Sequence, residues 1–298
     1  MTDEPAPAAP LGLLLDVDGP IASPVTRSIA IPSIIDDLVR LVRAGVPIAF
    51  ITGRSDAFIE TQVMGPLFAA GLSEALAAPG ARMFAVFEKG AAWATVSPDG
   101  LGTVTVDRSL ALPNVFSDEV RELVASAFGD TMFYDETKRA MVSVEQRTEV
   151  TSAQYLAVQQ EFDTAAFAIA ERHGIGMRWG AMENTDAAGL VPFRIDPTII
   201  STDIESVVLD KDRGAERALD HFTASGPLPA LWRSMGDSRS DYKMADYVHS
   251  IGLSVAHVDV RPADGILAKP YDVITEGDLI HDVAGAAFLR SWVQKLGA

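Results

Sequence analysis

Short apolar runs and amphipathic stretches alternate at the start of the chain. LGLLLDV (11–17) and VPIAFIT (46–52) are continuous apolar runs, which are typical of strands buried on both faces of a parallel sheet. Between them, apolar residues recur at three- and four-residue spacing over 34–42, which predicts an amphipathic helix that ends at Gly45. A strand, a helix and a strand in this order predict a right-handed crossover in a doubly wound sheet.

The same pattern returns towards the end of the chain. SVVLD (206–210) and ALWRSMGD (230–237) resemble buried strands, each is followed by a helical segment, and LSVAHV (253–258) predicts a further strand. We therefore predict that the two ends form one α/β domain over 11–80 and 201–298, with a doubly wound parallel sheet of the Rossmann type.

The middle of the chain has a different pattern. RMFAVFE, GAAWATV, TVTVDR and RAMVSVEQ alternate or cluster as antiparallel strands do, and residues 151–174 predict a long amphipathic helix. We predict an inserted α+β domain over 81–200. Residues 1–10, MTDEPAPAAP, are acidic and rich in proline and alanine, and they predict a disordered tail.

Composition narrows the classes of function. The 298 residues carry a formal net charge of −17, which disfavours extended contact with a DNA or RNA backbone. The chain has no cysteine, which excludes disulfides, thiolate nucleophiles and cysteine-ligated zinc. The most apolar window, 67–87, is interrupted by Glu74, Pro79 and Arg82, so no membrane span is predicted. We expect a soluble, cytoplasmic protein that is monomeric or homodimeric.

Polar residues stand where predicted core strands end. They are Asp16 and Asp18 in DVDG, Thr52 in FITGRS, Lys211 in VLDKDRG, and Asp237 with Asp241 in MGDSRSD. Taken singly, each has an ordinary explanation as a turn former, a helix cap or a solvated charge. Because the carboxyl ends of parallel strands converge on one edge of a sheet, together they predict one shared crevice.

These four segments, in this order, resemble the motifs of the haloacid dehalogenase (HAD) phosphohydrolases. The resemblance covers both predicted core segments, which is well over half of the chain. It implies a Rossmann-like core, a cap domain and a phosphoryl-transfer reaction that passes through an aspartyl-phosphate.

The resemblance also implies a role for each position. Asp16 would be the nucleophile, and Asp18 would donate a proton to the leaving oxygen and then activate water. Thr52, Gly53 and Lys211 would bind the phosphoryl oxygens. The cofactor would be Mg²⁺, with Asp16, Asp237 and the backbone carbonyl of Asp18 as ligands. Asp241 would be a further ligand, would support the ligands, or would orient Lys211.

Two departures from the family pattern affect these expectations. Pro20 follows the first motif where relatives have threonine or a similar residue, and it cannot donate a backbone hydrogen bond. Relatives with this layout often have Lys-Gly in the third motif, whereas this chain has KDRG. Arg213 is therefore a rival to Lys211 for the role of the phosphate-binding cation.

The spacing of the motifs indicates the type of cap. Between Asp18 and Thr52 lie 33 residues, whereas 158 lie between Thr52 and Lys211, as in the layout called a C2 cap. VFEKGAAW resembles the ENGA segment at which the C2B type begins. Relatives with this layout include Cof-type phosphatases and the sucrose, trehalose and mannosylglycerate phosphate phosphatases, which implies a small phosphorylated sugar or polyol as substrate.

Substrate contacts are harder to predict, because solvated surface charge explains most charged residues of the cap equally well. The candidates are Arg54, Glu88 and Lys89. Further candidates in the predicted cap are Lys138, Arg139, Arg178, Trp179 and Glu183. The five histidines show no metal-ligand spacing. In HVDVRP, Asp259 and Arg261 suggest a local ion pair. Alternative functions are phosphoryl transfer to a second sugar and phosphosugar sensing without turnover.

Overall fold

The structure, a computed structural model, describes residues 9–298. The first eight residues of the predicted tail lie outside the described part. Internal contacts divide the chain into two units. The core unit comprises residues 9–105 and 210–298, and the inserted unit comprises residues 106–209. Within residues 9–298, no helix has both the length and the apolar character that crossing a bilayer requires.

Strands and helices account for most of the described residues. The strands are β1 (Gly12–Leu15), β2 (Ile48–Ile51), β3 (Met83–Phe87), β4 (Ala92–Ser97), β5 (Gly100–Leu101), β6 (Thr105–Val106), β7 (Met132–Tyr134), β8 (Val142–Gln146), β9 (Met177–Trp179), β10 (Met182–Asn184), β11 (Phe193–Pro197), β12 (Ser201–Ser206), β13 (Leu231–Gly236), β14 (Ser254–Asp259) and β15 (Asp272–Ile274). The α-helices are α1 (Pro32–Arg43), α2 (Asp56–Ile59), α3 (Gly65–Ala69), α4 (Leu72–Leu76), α5 (Asn114–Leu123), α6 (Ser152–Arg172), α7 (Lys211–Ser225), α8 (Tyr242–Ser250) and α9 (His281–Leu296). Short 3₁₀ or π-helical turns occupy Glu60–Met64, Glu88–Gly90, Arg108–Leu110, Val124–Phe128 and Pro262–Asp264.

A largely parallel sheet forms the centre of the core unit. Its strand order is β15-β14-β13-β1-β2-β3-β4-β5, and β6 pairs with β4. The strands from β15 to β3 run parallel to their neighbours, whereas β4 is antiparallel to β3. Every residue of β1, β2 and β3 is buried, as their continuous apolar sequences require. The predicted doubly wound α/β fold is confirmed.

The order of the strands creates a site for a ligand. β1 lies between β2 and β13, so the chain leaves β1 towards one side of the sheet and later returns on the other. In open α/β sheets, ligands bind outside the carboxyl ends of the strands at such a switch point. The three strands that meet there are those that carry Asp16, Thr52 and Asp237 at their ends.

Helix α7 packs very closely on β2. A Cβ atom on Gly214 would lie 2.3 Å from Ile51 Cγ2, so only glycine permits this approach. The apolar contact continues through residues of α7, α8 and the strands, namely Leu14, Ala49, Phe84, Val86, Ala215, Ala218, Leu219, Phe222, Met244, Ala245 and Val248. This packing fixes the first turn of α7, which begins at Lys211, beside the end of β2.

The predicted boundaries of the insertion differ from the observed ones. Residues 81–105 were expected in the inserted domain, but β3 pairs in parallel with β2, and β4 extends the same sheet. RMFAVFE thus contains a buried parallel strand. Its apolar run alone does not show whether the strand is parallel or antiparallel to its neighbour. Residues 201–209, expected in the core, belong to the inserted unit, because β12 pairs with β11 and β8. The prediction of a core strand at SVVLD was wrong, since β12 ends at Ser206 and residues 207–210 form a turn before α7.

The inserted unit is an α+β structure. Its sheet has the order β10-β9-β11-β12-β8-β7, with all neighbours antiparallel except β9 and β11. Helix α6 begins with a capping box formed by Thr151 and Gln154, and it ends near the predicted position. Its buried face joins an apolar core that includes Phe116, Val144, Phe162, Met177 and Ile204.

Candidate active site

One buried lysine joins the ends of two strands. Lys211 Nζ lies 2.6 Å from Asp16 Oδ1 and 2.6 Å from Asp241 Oδ1. It also donates a hydrogen bond of 3.0 Å to the backbone carbonyl of Ile51, the last residue of β2. Although burial opposes the charge, the two carboxylates raise the pKa of Lys211 above its ordinary value. The lysine is therefore a fixed cation at the carboxyl end of the sheet.

Three carboxylates gather around this cation. One oxygen from each of Asp16, Asp237 and Asp241 lies within 4.8 Å of the other two. Burial and repulsion by Asp241 raise the pKa of Asp16, although Lys211 opposes the shift. The same two causes raise the pKa of Asp237. Clustered, buried oxygen ligands that repel one another fit a hard divalent cation such as Mg²⁺.

Asp241 is held more tightly than the other two carboxylates. Its Oδ2 accepts hydrogen bonds from the backbone amides of Asp237 (3.1 Å) and Ser238 (2.9 Å), and from the Ser238 hydroxyl (2.7 Å). Burial opposes ionisation, but Lys211 and Ser238 lower the pKa of Asp241. Of the three roles considered for Asp241, these contacts favour that of orienting Lys211.

The turn after β1 brings Asp237 close to the first motif. Gly19 has a φ of +95°, and a Cβ atom there would lie 2.6 Å from the Asp237 carboxyl carbon. Glycine is thus required both by the backbone conformation and by the approach of a predicted metal ligand. Pro20 leaves this arrangement intact, and its carbonyl packs against Gly285 of α9.

Asp16 itself is oriented by the backbone around it. Its amide donates to the carbonyl of Met235 in β13 (2.9 Å), and its Oδ1 accepts from the amide of Val17 (2.7 Å). Because Lys211 also contacts Oδ1, the known contacts of this carboxylate fall on one oxygen. This leaves Oδ2 as the oxygen that can attack an electrophile.

Asp18 lies outside the carboxylate cluster formed by the described residues and pairs with Arg54. Arg54 Nε lies 3.0 Å from Asp18 Oδ2 and 3.2 Å from Oδ1, and Nη2 lies 3.0 Å from Oδ1. Arg54, a candidate substrate contact from the sequence, is thus bound to the predicted general acid.

The loop after β2 carries Thr52 and Gly53, the residues predicted to bind the phosphoryl group. Thr52 is fully buried, and its Oγ1 accepts a hydrogen bond of 3.0 Å from the backbone amide of Arg54, so its own hydroxyl proton can be donated to a ligand. A Cβ on Gly53 would meet Lys89 Cε at 3.6 Å, which places Lys89 over this loop. Glu88 and Lys89 both have positive φ angles of 48° and 55°. Such strain commonly accompanies functional sites.

The structure distinguishes between the two candidate cations. Arg213 pairs with Glu216 on its own helix, and its side chain passes close to Gly90. Lys211, in contrast, contacts Asp16 and Asp241 directly. Lys211 is therefore the cation of the cluster.

Comparison with solved structures identifies the fold. No protein-family model and no curated protein matches the sequence. The C-terminal domain of C. albicans trehalose-6-phosphate phosphatase matches with a TM-score of 0.62 at 12% identity, over 97% of this chain and 93% of that chain. A haloacid dehalogenase-like hydrolase from Bacteroides thetaiotaomicron matches with a TM-score of 0.58 at 11% identity, over 94% and 98% of the two chains. N-terminally truncated Plasmodium falciparum IMP-nucleotidase matches with a TM-score of 0.54 at 13% identity, over 95% and 70%. The chain has the haloacid dehalogenase-like fold.

The HAD-like fold accounts for the convergence of the four motifs, and the resemblance inferred from them is confirmed at the level of the fold. The predicted site residues of the core unit occupy the end of the sheet at which β1, β2 and β13 meet. The other candidates belong to the inserted unit, namely Lys138, Arg139, Arg178, Trp179 and Glu183. There, Trp179 packs on the apolar core. Glu183 in β10 lies opposite Arg178 in the neighbouring strand β9. Their contact with substrate stays a prediction.

Two basic residues near the carboxylate cluster were not predicted to belong to the site. Arg261 Nη1 lies 3.9 Å and His281 Nδ1 3.6 Å from Asp237 Oδ2. The expected ion pair between Asp259 and Arg261 was wrong. Asp259 instead accepts hydrogen bonds from the Tyr242 hydroxyl (2.5 Å) and the Arg261 amide (2.8 Å), while the guanidinium pairs with Asp264 (2.5 Å). Arg261 could have been found from the sequence, because it is a basic residue just after a predicted core strand. Nothing in the sequence marks His281.

Proposed function

We propose that the protein is a magnesium-dependent phosphohydrolase that cleaves phosphate monoesters through an aspartyl-phosphate on Asp16. The observation that carries the proposal is the contact of Lys211 with both Asp16 and Asp241, next to Asp237. A nucleophilic carboxylate, a buried cation and a set of hard oxygen ligands suit phosphoryl transfer through an aspartyl-phosphate. The HAD-like fold, shared with phosphatases, supports this assignment.

The first step forms the covalent intermediate. Asp16 Oδ2 attacks phosphorus, the bond between phosphorus and the leaving oxygen breaks, and Asp18 gives its proton to that oxygen. Lys211 and Thr52 stabilise the negative charge of the phosphoryl oxygens. Asp16, Asp237 and the Asp18 carbonyl would hold Mg²⁺, which neutralises further phosphoryl charge when bound.

The second step returns the enzyme to its starting form. A water molecule attacks phosphorus while Asp18 accepts a proton from it, the bond between phosphorus and Asp16 Oδ2 breaks, and inorganic phosphate leaves. Asp18 thus ends the cycle with the proton that it lost in the first step. Lys211 keeps its proton throughout, because its role is electrostatic.

For the substrate, we favour a small phosphorylated sugar or polyol. The motif spacing resembles that of sugar-phosphate phosphatases, and one similar structure is a trehalose-6-phosphate phosphatase. The net charge of −17 disfavours polyanionic substrates such as nucleic acids. A nucleoside monophosphate is the main competing class, since another similar structure is an IMP-nucleotidase.

A screen of phosphorylated metabolites tests the proposal. Phosphate release is measured from sugar phosphates, polyol phosphates, nucleotides and p-nitrophenyl phosphate, each with Mg²⁺ and with EDTA. We expect release from at least one sugar or polyol phosphate with Mg²⁺ only, and none from the Asp16→Asn variant. Equal release by that variant would refute the assignment of Asp16. Binding without release across the panel would favour a sensor, and bisphosphate-dependent isomerisation of the sugar would favour a mutase.

A further inference from the structure

Arg54 and Asp18 form an ion pair beside the cluster. Three nitrogen–oxygen distances of 3.0 to 3.2 Å join the guanidinium to both carboxylate oxygens. Both side chains keep some exposure, 18% for Arg54 and 38% for Asp18. The pair is therefore well formed but accessible to a ligand that enters from solvent.

The backbone of Arg54 belongs to the predicted phosphate-binding loop. Its amide donates to Thr52 Oγ1 (3.0 Å) and its carbonyl accepts from the amide of Glu88 (3.2 Å). The guanidinium lies over the ring of Phe58, with 4.8 Å between Cζ and the ring centroid. One end of the residue is thus fixed beside Thr52, while its charged end reaches Asp18.

The pair conflicts with the role proposed for Asp18. A proton donor must direct a carboxyl oxygen at the leaving oxygen of the substrate, yet both oxygens of Asp18 are engaged by Arg54. The pair must open, or at least loosen, before Asp18 can act. A guanidinium binds a phosphoryl group in the same two-pronged geometry as a carboxylate, so a phosphate monoester is a suitable competitor for Arg54.

We propose that Arg54 holds the Asp18 carboxylate before substrate binds and then transfers its guanidinium to the phosphate, so that Asp18 can turn to the leaving oxygen and deliver a proton that it takes up from water once the ion pair has opened. When phosphate leaves, Arg54 pairs with Asp18 again and that proton returns to water. This inference rests on the proposed phosphohydrolase function and deepens it. The exchange replaces one charge-assisted, bidentate contact by another of similar strength, so its net cost is small. The arrival of the correct group would thereby prepare the acid that acts on it.

A double-mutant cycle on phosphate binding tests the exchange. Binding of inorganic phosphate is measured by calorimetry with Mg²⁺ present, on the full-length wild type, Asp18→Asn, Arg54→Gln and the double variant. Asp18→Asn removes the ion pair that engages the Arg54 guanidinium, so we expect this variant to bind phosphate about tenfold more tightly than the wild type. In the Arg54→Gln background, the same change has no guanidinium to release, and the gain should fall to about threefold or less.

The sign of the coupling separates exchange from simple charge neutralisation. If Arg54 only masks the charge of Asp18, its removal exposes that charge, and the gain from Asp18→Asn becomes larger in the Arg54→Gln background. An equal or larger gain would therefore overturn the proposal. Arg43→Gln is the matched control, because Arg43 is the exposed last residue of α1 and lies shortly before the start of β2, whereas the cluster lies where the strands end. It should leave the gain from Asp18→Asn unchanged.

Turnover gives a second, independent measurement. In Arg54→Gln we expect KM to rise by about tenfold or more, and Arg54→Lys should recover only part of this loss because an ammonium cannot bind in two-pronged geometry. Full recovery by lysine would contradict the exchange. If the wild type and all variants fail to bind phosphate and also fail to hydrolyse any ester, the proposed function itself is wrong. If the wild type turns over its substrate normally but the effects of Asp18→Asn and Arg54→Gln on phosphate binding are additive, the exchange is rejected and the proposed function stands.

Discussion

Lys211 Nζ and Asp16 Oδ1 lie 2.6 Å apart, although 194 residues separate the two in the sequence. The contact joins the end of β1 to the first turn of α7, and it places a cation on the proposed nucleophile. Gly214 makes it possible, since any side chain there would move α7 away from β2.

Replacement of this lysine should affect both stability and turnover. Lys211→Gln leaves Asp16 and Asp241 buried without their cation, which should cost about 3–5 kcal/mol of unfolding free energy. Loss of the charge at the phosphoryl group should lower kcat by at least about 100-fold. Denaturant unfolding and steady-state kinetics check the two effects. Wild-type turnover in a folded variant would contradict the role of Lys211.

Substitution of Gly19 tests the metal site. A control glycine separates the effect of backbone strain from the effect of contact with the Asp237 carboxylate. Gly19→Ala should weaken Mg²⁺ binding about tenfold or more, because the new methyl group would displace the Asp237 carboxylate. Gly80→Ala is the control, since Gly80 also has a positive φ (+79°) but no atom within 4 Å of the added Cβ. Both changes should cost about 1–2 kcal/mol of stability, the usual penalty for alanine in this conformation.

Calorimetric titration with Mg²⁺ distinguishes the two glycine variants. We expect Gly80→Ala to bind Mg²⁺ like the wild type, while Gly19→Ala does not. Equal affinities in all three proteins would show that the carboxylate of Asp237 does not hold the metal.

A buried carboxyl in the inserted unit should make its stability depend on pH. Asp163 is 2% exposed, accepts a hydrogen bond from the Thr202 hydroxyl (2.8 Å), and burial raises its pKa to about 6. Because this pKa lies above the ordinary value, the folded unit favours the protonated form, and stability falls as pH rises from about 4 through about 6. The loss is on the order of 2 kcal/mol at neutral pH.

Hydrogen exchange of α6 measures this effect in the intact chain. In the wild type, protection should be greater at pH 5 than at pH 7, after correction for the intrinsic exchange rate. Asp163→Asn should remove most of that difference, whereas Glu161→Gln, at an exposed position of the same helix, should not. A pH dependence that persists in Asp163→Asn would assign it to other groups.

Sequence patterns predicted the main parts of the fold and the cluster for specific reasons. Apolar runs marked β1 and β2, and the polar residues that end them, Asp16 and Thr52, meet because neighbouring parallel strands point to the same edge. Hydrophobic periodicity also predicted α6 within a few residues of its bounds. These features depend on local sequence or on the regular geometry of a sheet.

The remaining features depend on contacts between distant residues. Whether β3 pairs with β2 or belongs to the insertion is decided by its partner strand, and its apolar sequence suits both. Whether Lys211 or Arg213 contacts the carboxylates depends on which face of α7 packs on the sheet. The pairing of Arg54 with Asp18 spans 36 positions and has no local signal.

Chemical trapping of the intermediate tests most directly whether Asp16 is the nucleophile. The enzyme is quenched during turnover of its best substrate and treated with borohydride, which reduces an aspartyl-phosphate to homoserine, and the modified residue is located by peptide mass spectrometry. We expect homoserine at position 16, dependent on both substrate and Mg²⁺. Modification at another aspartate, or rapid phosphate release with no trapped residue while a known aspartyl-phosphate enzyme is trapped in parallel, would contradict covalent catalysis by Asp16.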